Sequence, residues 1–137
     1  MNRTPDPTWD VALVVFSGRA GLWWLRLLRP GFRHCFVALR GATHWVVVDP
    51  LSHRTCVAII PHPPEFDLAT WYRRHEMTVV ETRVIATREA LAPIRFYSCV
   101  ESVKRILGIH AGYVLTPWQL FRHLNKTGKY GLTAVEK

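Results

Sequence analysis

Short apolar runs and period-two alternation fill the first two-thirds of the chain. Apolar positions three and four apart dominate its end. Asp10 to Phe16 carries six consecutive apolar residues after the aspartate, the pattern of a strand buried on both faces. Ser17 to Arg29 mixes Leu22, Trp23, Trp24, Leu25, Leu27 and Leu28 with arginines and predicts a short helix, ended by Pro30-Gly31. Arg33 to Leu39, His44 to Val48 and Thr55 to Ile60 read as three strands. Pro61, Pro63 and Pro64 interrupt the pattern. Glu65 to Glu76 follows as a helix with Phe66, Leu68, Trp71 and Tyr72 as its apolar set, and Met77 to Ile85 as a strand. Ala86 to Ile94 is a connector.

Two helix starts are written in side-chain chemistry. Ser98 and Glu101 have capping-box spacing ahead of a face formed by Val100, Val103 and Leu107. Thr116, Pro117 and Gln119 repeat the device, with proline at the first helical position and Leu115 and Leu120 at the spacing of a hydrophobic staple. The lysine- and glycine-rich tail after Asn125 reads as a last short strand or a frayed end. Strands gather early and helices late, so the expected class is α+β: an antiparallel sheet packed against a few helices. At 137 residues the chain is read as one domain, residues 1–137, with 1–8 and 126–137 as loose ends.

Composition refines this little. The formal net charge of +8 favours an anionic neighbour, such as a nucleic acid, a phospholipid surface or an acidic substrate. The basic residues are nevertheless spread along the chain, from Arg19 and Arg26 through Arg73 and Arg74 to Lys104, Arg105, Lys126 and Lys129. They read as a solvated surface, and no nucleic-acid-binding motif accompanies them. Three widely spaced cysteines, Cys35, Cys56 and Cys99, do not form a disulfide framework and suit a reducing compartment. No export signal is visible, and no run approaches the length of a membrane-spanning helix. The expected location is cytoplasmic, or outside after delivery without a signal peptide.

Cys99 carries the candidate chemistry. With Ser98 as cap it occupies the first helical position, beside unpaired backbone N–H groups and the positive end of the helix dipole, which favour its thiolate. Against that stands the simple reading of a small apolar residue in a core. A nucleophile needs a base, and the base an orienting group. If Gly41-Ala42 forms a two-residue type II′ turn, Arg40 faces Thr43, Ala38 faces Trp45, Phe36 faces Val47 and His34 faces Asp49. That register puts an imidazole beside a carboxylate, with Cβ atoms about 5 Å apart. His44 is the rival orienting residue, although its side chain points to the other face. Cys35 points away from His34 and reads as core packing, as does Cys56. His53, Cys56 and His62 lack the spacing of a metal site, and neither metal nor cofactor is expected.

The order of these residues resembles the circularly permuted NlpC-type branch of the papain-like thiol hydrolases, whose permuted order is shared with the lecithin:retinol acyltransferase family. Phe32-Arg33-His34-Cys35-Phe36-Val37 is similar to the histidine strand of that branch, and Tyr97-Ser98-Cys99-Val100-Glu101-Ser102-Val103 to its cysteine helix. Leu115-Thr116-Pro117-Trp118-Gln119-Leu120 resembles the Thr-Pro-x-x-Leu segment that follows. The resemblance spans roughly Phe32 to Leu124. It implies a papain-like fold, Cys99 as nucleophile, His34 as base and then acid, and Asp49 as orienting group. It further implies an oxyanion-hole N–H at Cys99, with Tyr97 or Ser98 in support. The implied reaction passes through a thioester on an amide or ester carbonyl of a peptide or peptidoglycan-like substrate. Lysis, a phage particle or a secretion system would then deliver the enzyme. In the acyltransferase relatives a Glu follows the nucleophile directly; here Val100 does, and the acid is Glu101. A lipid-acting acyl hydrolase or acyltransferase, with Leu22 to Arg29 at a membrane interface, and a non-catalytic basic binding module remain alternatives.

Overall fold

The computed structural model describes residues 11–18, 27–51, 54–84 and 98–131, with side chains as far as 128. The architecture is α+β. Five strands, β1 (Ala12–Ser17), β2 (His34–Arg40), β3 (Trp45–Pro50), β4 (Thr55–Ile60) and β5 (Thr78–Thr82), form one sheet in the order β4-β3-β2-β1-β5. Every neighbouring pair is antiparallel. Three helices accompany it: α1 (Leu68–Arg74), α2 (Cys99–Leu107) and α3 (Pro117–Gly131).

The sheet is covered on both faces, and alternation along β1 and β2 sorts their residues between two cores. Val14, Phe16, Cys35, Val37 and Leu39 pack with Val100, Val103 and Leu107 of α2 and Leu120 and Leu124 of α3. Leu13, Val15, Phe36 and Ala38 pack with Leu68, Ala69 and Tyr72 of α1. This explains why β1 reads as a continuous apolar run: all six of its residues are buried. β4 lies at the opposite extreme, an edge strand with Val57 and Ile59 exposed.

Several sequence expectations change. The predicted helix over Glu65 to Glu76 is shorter because Asp67 caps it, accepting a hydrogen bond from Thr70 N–H at 3.0 Å, while Phe66 N–H closes a turn onto Pro63 O. Residues 126–131 continue α3 rather than forming a strand, and the rest of the tail lies outside the described residues; Thr127 Oγ1 donates to His123 O and Leu124 O. The box at Thr116 forms in full: its Oγ1 accepts from Gln119 N–H, and Gln119 Oε1 accepts from Thr116 N–H at 3.0 Å. The staple does not, since Leu115 is exposed; Gln119 Oε1 also accepts from Leu115 N–H and sets the entry angle instead. The helix predicted over Ser17 to Arg29 and the connector at Ala86 to Ile94 lie largely or wholly outside the described residues. No helix among those described is long and apolar enough to cross a membrane.

The lead-in to β2 is pinned before the strand begins. Gly31 takes φ 82°, a conformation that glycine adopts without steric cost, and turns the chain after Pro30. Arg33 N–H then bonds Ser17 O at 3.0 Å. Phe32 enters an aromatic cluster with Phe16, Trp118 and Phe121, with ring centroids 4.8 to 5.5 Å from its own. The Arg29 guanidinium lies 3.8 Å from the centre of the Trp118 ring. The start of α3 therefore fixes the chain just ahead of His34.

Lys104 departs from the solvated basic surface expected of it. Only 3% exposed, it extends from α2 to donate to Ala111 O and Val114 O, each at 3.0 Å, and pairs with Glu101 Oε2 at 3.0 Å. Gly108, at φ 75°, ends α2 in the left-handed conformation, so the chain can fold back beneath that ammonium. Replacing Lys104 by Met leaves a buried carboxylate and two carbonyls without their cation. Lys104→Met is expected to cost about 3 kcal/mol in urea unfolding, and Lys104→Met/Glu101→Leu to recover much of that.

Candidate active site

The β2–β3 hairpin differs from its predicted register. Arg40 pairs with Trp45, Leu39 with Val46, Ala38 with Val47 and Val37 with Val48. Gly41 N–H bonds His44 O at 2.9 Å, so Ala42 and Thr43 form the tip. Gly41 does not take the positive φ that a type II′ turn beginning there requires. The register is displaced by two residues, an even number, so every side chain stays on its predicted face. Continued by one pair, the ladder sets Asp49 across from Phe36 and makes His34 its diagonal neighbour. His34 Nε2 still meets Asp49 Oδ1 at 2.6 Å, because an imidazole is long enough to span the diagonal.

Cys99 opens α2, as its spacing from Ser98 predicted. Ser98 is extended at φ −125° and ψ 169°, and its Oγ accepts from Glu101 N–H at 3.2 Å. The Glu101 carboxylate turns toward Lys104 and Arg105. The Ser98 oxygen is thus engaged as a cap. Tyr97 lies outside the described residues. His44 sits in the hairpin turn, at the opposite end of β2 from His34, and shares a 2.7 Å contact with Thr43. The structure brings together His34, Asp49 and Cys99 and leaves His44 apart. Cys56 lies on β4 directly across from Asp49.

Cys35 is the residue that sequence reasoning placed in the core and nothing more. It is fully buried in the α2-side core, and half-buried Cys99 packs against the same cluster. Alternation sends His34 and Cys35 to opposite faces. Both nevertheless act on Cys99, because the helix begins at the end of the sheet where β2 begins.

The electrostatics follow from that crowding. The Cys35 thiol, by hydrogen bonding, is the largest influence on Cys99; burial opposes it, and the His34 ring and Cys35 backbone add to it, bringing Cys99 down to about 5. Burial alone would lower His34, but hydrogen bonds to Asp49 and Cys99 and the charges of both raise it to about 9. Cys35 is pushed well above the usual thiol range by its bond to Cys99 and by burial, so it remains a protonated donor. Tyr72, across the α1-side core, rises to about 12 through burial and the nearby Asp49 charge. Between about pH 5 and about pH 9 the arrangement is a thiolate beside an imidazolium. With Nε2 engaged by Asp49, Nδ1 is the ring nitrogen left for the sulfur.

Among the described residues, no group of three or more His, Cys, Asp or Glu side chains is arranged to hold a metal ion. Comparison with family models, curated proteins and solved structures gave no match.

Asp49 is the main group opposing the effect of burial on His34. Asp49→Ala is therefore expected to lower the His34 titration midpoint from about 9 by about one unit or more, followed by NMR of the ring protons. An unchanged midpoint would mean that the 2.6 Å contact does not orient the imidazole.

Proposed function

We propose that the protein is a cysteine-dependent hydrolase of amidase or peptidase type, built on a permuted papain-like scaffold. The carrying observation is the thiol at a helix start beside an imidazole that is itself held by a carboxylate 2.6 Å away. Nucleophilic catalysis by cysteine needs a thiolate, a proton carrier and a group that fixes the carrier's orientation. The three residues have distinct anchors: a helix cap, the first position of a central strand, and the neighbouring strand.

In this reading the Cys99 thiolate attacks the carbonyl carbon of an amide or ester. The charge that develops on the carbonyl oxygen is met by the unpaired N–H of Cys99, with the α2 dipole behind it. The His34 imidazolium gives its Nδ1 proton to the departing nitrogen or oxygen, leaving a thioester on Cys99. Water then attacks the thioester while neutral His34 takes its proton, and the thiolate is restored. Asp49 keeps the Nε2 proton in place throughout and so fixes which nitrogen faces the sulfur.

p-Nitrophenyl acetate tests the chemistry without knowledge of the natural substrate. The expected result is turnover with transient acetylation of Cys99, detected by mass spectrometry, across a pH plateau with limbs near 5 and 9. The acid limb reflects protonation of Cys99 and the alkaline limb loss of the His34 proton. Cys99→Ala abolishes turnover, and His34→Ala lowers it by about 10²–10⁴-fold. Acetylation of Cys99 at the rate of a free thiol, unaffected by His34→Ala, overturns the proposal.

A further inference from the structure

The mechanism above leaves one buried thiol unused. Cys35 has no exposed surface, belongs to the core cluster against which Cys99 packs, and follows His34 directly in the chain. We propose that Cys35 is a positioning residue: its S–H donates a hydrogen bond to the Cys99 sulfur across the junction of β2 and α2, holding the nucleophile in place as a thiolate. The inference rests on the reading of Cys99 as a nucleophile and assigns a second source for its activation.

The geometry favours donation in this direction. β2 is the central strand, and Cys35 pairs with Phe16 of β1 one residue inside the start of the strand. A thiol buried among Val37, Val100 and Val103 resists ionisation, since nothing there solvates a charge. Cys99, at the mouth of the same cluster, is half-buried and backed by helix N–H groups. Of two adjacent thiols, the inner one keeps its proton and the outer one loses it. The Cys35 backbone N–H adds a second donor from the same residue. The other ionisable groups around the pair are His34 on β2 and Asp49 on β3; on α2, Glu101 is tied to Lys104 and Arg105.

The consequence for catalysis is a division of labour. If His34 alone stabilised the thiolate, its proton would be committed to the sulfur. With Cys35 also donating, the imidazolium is freer to release that proton to the leaving group. A more stabilised thiolate is also an intrinsically weaker nucleophile, because thiolate reactivity falls as its basicity falls. Removing the donor therefore has opposite effects at the two ends of the pH range, an effect that loss of packing alone would not produce.

The test is the pH profile of iodoacetamide alkylation at Cys99 in wild type, Cys35→Ala and Cys35→Ser, with the alkylated residue identified by mass spectrometry. Cys35→Ala is expected to raise the midpoint from about 5 by about one unit, a tenfold change in the thiolate equilibrium. Its alkylation is slower than wild type at acid pH and equal or faster on the alkaline plateau, so the two curves cross. Cys35→Ser, which retains a donor, restores the low midpoint. Thermal unfolding of each variant is followed in parallel. A midpoint in Cys35→Ala equal to that of wild type overturns the proposal, whatever the change in melting temperature, as does a raised midpoint that Cys35→Ser fails to restore. Alkylation reads the thiolate directly, without turnover. A failure here leaves p-nitrophenyl acetate hydrolysis intact, whereas failure of the hydrolase reading appears as loss of His34-dependent turnover with the thiol titration unchanged.

Discussion

β2 is buried on both faces, and the site depends on where that strand begins. Its interior residues are divided between two cores, with Cys35, Val37 and Leu39 facing α2 and α3 and Phe36 and Ala38 facing α1. At its first residue the division ends, and groups that alternation separates can approach one point from either side. The N-terminus of α2 is at that point. A histidine and a cysteine adjacent in sequence, which a regular strand holds on opposite faces, thereby both reach Cys99.

The remaining contacts hold the two elements that meet there. Phe32, wedged among Phe16, Trp118 and Phe121, prevents the approach to β2 from drifting, and the Gln119–Thr116 box places Trp118. Lys104 secures the far half of α2 to the chain that follows it, and Ser98 closes the near end. Few of these contacts touch the sulfur. They fix the rotation and depth of a helix whose first residue has to meet a strand end, a requirement tighter than that on an ordinary core helix.

Much of this was legible in the chain because local chemistry decides it. Ser98 and Thr116 cap helices for reasons contained within four residues, and β1 reads as buried from its own composition. The His34–Asp49 contact was reached from a register two residues out, and it survived because an even displacement preserves side-chain faces. What could not be read was set by distant parts of the chain. Lys104 looks like any surface lysine until the loop carrying Ala111 and Val114 folds beneath it. The alternation rule correctly sent Cys35 to the face opposite His34; only the position of α2 turns that face into the floor of the site. The short α1 likewise reflects Asp67, whose side-chain bond to Thr70 N–H fixes where the helix starts.

Asp49 occupies β3, between the buried centre of the sheet and the exposed edge strand β4, whereas Cys35 and His34 belong to the centre itself. Protection against local opening rises from edge to centre in such a sheet, so on this side β4 frays before β3, and β3 before β2. The orienting carboxylate is thus mounted on a less durable part of the frame than the groups that set the acidity of the nucleophile. Under gradual stress the imidazole would lose its bearing while Cys99 still held its charge, a reactive thiolate outlasting the machinery that directs it.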